Sequence, residues 1–180
     1  MFLLTTMALA LVAASGVALV AASGVALAFE CGAGSCWGTP GDDTMIGTPA
    51  DEGRHGLGGD DLIRGLGGND FLTGDNGDDA VYGGSGKDSV EGNLGDDLVR
   101  GGSGDDSVEG NRGGDRVEGG AGDDQLFGGD GDDHVDGQDL GPTGVGGSDV
   151  LDCGAGSDTF AADFDDTVLP NCEEGVVGGF

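Results

Sequence analysis

Residues 57–137 read LGGDDLIRG LGGNDFLTG DNGDDAVYG GSGKDSVEG NLGDDLVRG GSGDDSVEG NRGGDRVEG GAGDDQLFG GDGDDHVDG, nine units of nine residues with no insertion or deletion. Two more units extend the register backwards: TPGDDTMIG at 39–47 and the degenerate TPADEGRHG at 48–56. Within a unit, position 3 is Gly, position 5 Asp, position 7 aliphatic and position 9 Gly, with few exceptions. A short fixed period of this kind is the mark of a solenoid, in which each unit buries its apolar side only against its neighbours.

Each position carries a physical expectation. Glycines at 9 and 3, with Gly, Asn or Asp often at 1, are expected to supply the positive φ angles of a tight turn. Positions 6 to 8 should form a short strand whose middle residue points inward, because side chains alternate across a strand. The inward residues are then Met45, Ile63, Leu72, Val81, Val90, Val99, Val108, Val117, Leu126 and Val135. If two units make one coil, alternate units stack. The fold class is therefore all-β: a parallel β-roll, a two-sheet β-solenoid of nonapeptide repeats.

Stacking also lines up the acids. Position 5 recurs on one edge every eighteen residues, which pairs Asp43 with Asp61, Asp61 with Asp79, Asp70 with Asp88, and so on through Asp97, Asp106, Asp115, Asp124 and Asp133. Carboxylates one strand spacing apart repel, and a thin core of about ten aliphatic side chains is small against the entropy of ordering so much glycine. A hard cation that takes six to eight oxygens would reverse the sign of that edge. Because no site preforms in the unfolded chain, its affinity would become folding free energy. Calcium is the cofactor this pattern predicts, with about seven to nine ions if each stacked pair holds one.

Composition agrees and sets limits. The chain of 180 residues carries a net charge of −29, 43 glycines and only six Lys plus Arg. Such charge counts against nucleic acid and anionic membrane surfaces as partners. Residues 1–28 contain no charged side chain and end Ala26-Leu27-Ala28, which fits a cleaved signal peptide and a secreted, extracellular protein with no membrane insertion afterwards. The alternative is an uncleaved anchor, since the apolar run is long enough to span a bilayer. Four cysteines follow. Three connectivities are possible, and proximity favours Cys31–Cys36 and Cys153–Cys172, one pair at each end.

The units resemble the hemolysin-type calcium-binding (RTX) nonapeptide G-G-x-G-x-D-x-U-x, and residues 83–91, GGSGKDSVE, match it completely. The resemblance covers 39–137 and implies a β-roll in which the Asp carboxylates and glycine-turn carbonyls hold Ca²⁺. Departures occur at 48–56, where Glu52 replaces the Asp and Arg54 the aliphatic residue, and at Gly114, where most units have Asp or Asn. After Gly137 the register slips through QDLGPTG and resumes with Asp149 and Asp158 at the Asp position and Leu151 and Phe160 at the apolar one.

The chain thus divides into a signal peptide at 1–28, a cysteine-containing segment at 29–38, the calcium-binding repeats at 39–137, and degenerate repeats with a disulfide-closed cap at 138–180. Val168 and Leu169 are expected to cover the last rung. Nothing points to an enzyme. His55 and His134 occupy outward positions, the glycine-rich turns lack a phosphate-loop or nucleophile-elbow spacing, and Asp130-x-Asp132-x-His134 fails as an EF-hand. Outward Arg64, Phe71, Tyr82, Arg100 and Phe127 leave open a surface role as adhesin or spacer, or as accessory domain of a secreted hydrolase or toxin.

Overall fold

The computed structural model describes residues 28–30, 34–139 and 147–178, so residues 1–27 of the expected signal peptide and Cys31 lie outside the described residues, while Ala28 opens a strand paired with Thr44–Ile46. Among those described, seventeen strands form two all-parallel sheets of nine and eight strands, with no helix. Accordingly no helix there is long and apolar enough to cross a membrane.

Alternate units go to alternate sheets. In the nine-stranded sheet Met45, Ile63, Val81, Val99, Val117 and Val135 follow one another in register. In the eight-stranded sheet Leu72, Val90, Val108, Leu126 and Leu151 do so. All ten expected inward residues, with Leu151, are wholly buried and share one core. An eighteen-residue coil has this consequence: each inward side chain sits directly above its counterpart one coil earlier, as the two-sheet reading requires.

The strands are longer than the repeat pattern suggests. Thr44–Ile46, Gly53–His55 and Leu62–Arg64 span positions 6 to 8, but from Phe71–Asn76 to Gln125–Asp130 each strand runs six residues, through positions 9, 1 and 2. Pairs such as Gly84 with Gly102 and Asn93 with Asn111 continue the ladder there. The turn is confined to positions 3 to 5.

The slip after Gly137 is absorbed outside the ladder. Val150–Ala155 pairs with Gln125–Asp130 at an offset of 25 residues instead of eighteen, and residues 140–146 fall outside the description. At the C-terminal end Val168 pairs with Leu151, while Phe160 and Val168 pack half-buried on the core. Cys153 is wholly buried and bonded to Cys172, with Cα atoms 5.0 Å apart. Cys36 is disulfide-bonded as well; its expected partner Cys31 is not described.

The outer faces differ. Arg64 lies over the Tyr82 ring at 5.5 Å, and Arg100 pairs with Glu118 at 3.6 Å on the nine-stranded sheet. On the other sheet the His55 ring stacks on Trp37 at 5.4 Å and tilts against Phe71 at 5.7 Å, so His55 is half-buried rather than freely solvated.

Candidate metal centre

The turn at positions 3 to 5 carries the acids to the edge between coils. All twelve aspartates expected there, Asp43, Asp61, Asp70, Asp79, Asp88, Asp97, Asp106, Asp115, Asp124, Asp133, Asp149 and Asp158, are buried, at 1–4% exposure. They form two ladders. Along one, Oδ1 of Asp61, Asp79, Asp97, Asp115, Asp133 and Asp158 accepts the backbone N–H of the acid one coil earlier, at 2.7–2.9 Å. Along the other, Asp70, Asp88, Asp106, Asp124 and Asp149 do the same at 2.8–2.9 Å.

That bond uses one carboxylate oxygen and leaves the other. Oδ2 of Asp61, Asp70, Asp79, Asp88, Asp97, Asp106, Asp115, Asp124, Asp133, Asp149 and Asp158 is buried without a hydrogen-bond partner among the described residues. A buried anionic oxygen with nothing to satisfy it is costly. Eleven in two rows are a standing demand for positive charge.

Position 9 shows what else faces that space. A Cβ added at Gly65 would fall against Asp70 Oδ2 and the carbonyl oxygen of Gly83, and one at Gly110 against Asp115 Oδ2 and the Gly128 carbonyl oxygen. These glycines do not have positive φ; positions 1 and 3 do, as at Asn93 (91°) and Gly95 (136°). The expectation that position 9 supplies turn conformation is therefore corrected. Glycine is needed there for room, because carboxylate and carbonyl oxygens converge on the place a side chain would fill.

The electrostatics follow from burial. Loss of hydration raises the carboxyl pKa of Asp61, Asp79, Asp115 and Asp124 to about 7, and of Asp70, Asp97 and Asp106 to about 6. Asp149 is pushed up to about 8. The N–H bond from the preceding coil lowers each value, and neighbouring acids such as Asp43 beside Asp61 raise it, but desolvation is the largest cause. Among the described residues no three carboxylate, imidazole or thiol side chains meet at one point. Backbone carbonyl oxygens lie in the same space at several turns, as Gly83 beside Asp70 and Gly128 beside Asp115. A donor set of carboxylate and carbonyl oxygen suits a hard cation such as Ca²⁺ and no soft one.

The period did not reveal several participants. Position 4 carries its own ladder, running the opposite way: Oδ1 of Asp42, Asp60 and Asp78 accepts the N–H of Asp60, Asp78 and Asp96 one coil later, at 2.9–3.1 Å. The recurrence of Asp or Asn there was its only signal. Beyond the repeats, Asp166 Oδ1 takes the N–H of Asp149 at 3.0 Å, and Glu173 Oε2 that of Asp158 at 3.2 Å. These two acids continue the ladders at spacings of 17 and 15 residues, which a search at eighteen passes over.

The family model for the RTX calcium-binding nonapeptide repeat matches the chain in four copies, at residues 55–90, 82–117, 109–139 and 143–169. The chain belongs to this RTX repeat family. Calcium is accordingly the cofactor of its repeats, which are structural calcium-binding units and not catalytic ones. No catalytic family accompanies the match to the RTX repeat. A comparison with curated proteins finds no match.

Proposed function

We propose that this RTX protein acts outside the cytoplasm as a calcium-binding module whose β-roll folds when the ion binds. The observation that carries the reading is the eleven buried Oδ2 atoms, in two rows, that no described residue satisfies. The carboxylates from Asp61 to Asp158 would hold the ions, with carbonyl oxygens of position-9 glycines such as Gly83 and Gly128 beside them. Bound Ca²⁺ supplies charge neutralisation and oxygen coordination. The chain supplies the rest: N–H donors orient each carboxylate through Oδ1, the missing Cβ keeps the space open, and the aliphatic column holds successive turns in register.

Without the ion, ionised acids face one another across a strand spacing and the roll loses more at its edges than its narrow core returns. In calcium-poor cytosol the chain would stay unfolded and exportable, and external calcium would fold it. The uncharged run at 1–28 and the family's typically extracellular setting support export. Circular dichroism of the chain without residues 1–28 tests the reading. At pH 8, where the ladder acids are ionised, we expect a disordered spectrum in excess EDTA and a β spectrum once calcium exceeds the chelator. A β spectrum indifferent to both additions would overturn it.

A further inference from the structure

The first two turns differ from all later ones at the oxygen an ion would need. Asp43 Oδ2 accepts the backbone N–H of Thr39 at 2.5 Å and its hydroxyl at 3.0 Å. Glu52 stands at the same position one unit on: Oε2 accepts the Thr48 N–H at 3.0 Å and Oε1 the Thr48 hydroxyl at 2.5 Å. Glu52 Oε2 also meets Nη2 of Arg54 at 2.6 Å, with both side chains wholly buried. Among the described residues neither acid leaves a buried oxygen without a partner, in contrast to the eleven that follow.

The cause is visible in composition. Both turns open Thr-Pro, and no unit from 57 to 137 does. Proline fixes φ after the threonine, and the threonine then turns two donors onto the acid four residues on, a local side-chain closure of the kind Ser and Thr favour. Donor hydrogens aimed at an oxygen present positive charge where a cation would have to sit. At 48–56 the chain goes further and places a guanidinium, charged at every physiological pH, where other units from 57 to 137 have an aliphatic residue. Burial of that charge is tolerable because Glu52 pairs with it.

We infer that the turns at 39–43 and 48–52 are closed by the chain's own donors and take no calcium, so that the nonapeptide repeats start with a metal-independent coil and their ion sites begin at Asp61 and Asp70. This rests on the reading that Oδ2 of Asp61 and its successors takes calcium. The first coil then offers the next one N–H donors already in place, those of Asp43 and Glu52 to Asp61 and Asp70.

Native mass spectrometry at saturating calcium, counting ions per chain, tests it on the full chain and three variants. D79N should lose at least one ion, D43N should keep the wild-type number, and T48G/E52D/R54V, which removes the Thr48 hydroxyl and restores the Asp and the aliphatic residue of the repeat, should gain one. Loss of an ion in D43N, or no gain in a triple variant that circular dichroism shows to be folded, would overturn the inference while leaving the calcium reading intact. An unchanged count in D79N would instead remove the calcium reading on which it rests.

Discussion

From Gly65 to Gly128, a missing side chain at every ninth residue holds the space for a carboxylate oxygen. At Gly101 an added Cβ would lie 2.5 Å from Asp106 Oδ2 and 2.8 Å from its Cβ, closer than atoms tolerate. G101A should therefore displace the carboxylate, cost about 1–3 kcal/mol as overpacking does, and raise the calcium concentration at the folding midpoint. Gly41 has open space around it and no positive φ, so G41A serves as the control, with a change within about 1 kcal/mol in the stabilising direction. Leu66 marks the opposite situation. It holds φ at 79°, the left-handed region, where Asn93 and Asn111 stand in equivalent turns. L66N should relieve about 1 kcal/mol of strain and raise the melting temperature of the calcium-loaded protein.

The strand is the element through which one coil dictates the next. Val108 is wholly buried between Val90 and Leu126 in register. V108A removes two methyl groups from a column that cannot close sideways, and should cost about 2 kcal/mol in urea denaturation at saturating calcium. At the C-terminal end, Val168 covers Leu151 and Cys153–Cys172 ties the cap to the last full rung. The bridge closes a loop with a sequence separation of 19, for which chain entropy gives about 3 kcal/mol. C153S/C172S should lower stability by roughly that amount, and hydrogen exchange should show the loss concentrated in residues 147–178.

For the molecule as a whole, the proposed function makes charge govern stability, and protons would then compete with calcium for the same oxygens. Asp61, Asp70, Asp79, Asp97, Asp106, Asp115, Asp124 and Asp149 have folded pKa values of about 6 to 8 without metal, against about 3.9 for Asp in an unfolded chain. The calcium-free fold therefore binds more protons than the unfolded chain between roughly pH 4 and 8. This contribution to stability is fully present below pH ~4, falls progressively from there, and is lost once pH has risen through 6 to 8. In calcium-free buffer, circular dichroism should show β structure near pH 4 and its loss near pH 8. Calcium affinity should fall with acid, since each ion must displace those protons. A calcium-free chain equally unfolded at both pH values would contradict this linkage.

Much of this was legible in a single line of residues. A nine-residue period, with one inward aliphatic residue and one Asp per unit, is a local rule repeated many times. Repetition turns local rules into global geometry, so the two sheets, the column from Met45 to Val135 and the acid ladders all followed from it. What could not be read was whatever depends on which atoms meet across coils. The direction of the position-4 bonds, the crowding behind Gly65 and Gly110, the closure of Asp43 and Glu52 by threonines, and the recruitment of Asp166 and Glu173 at irregular spacing are of this kind. Sequence spacing counts residues along the chain, whereas a carboxylate is satisfied or orphaned by donors that folding brings within about 3 Å.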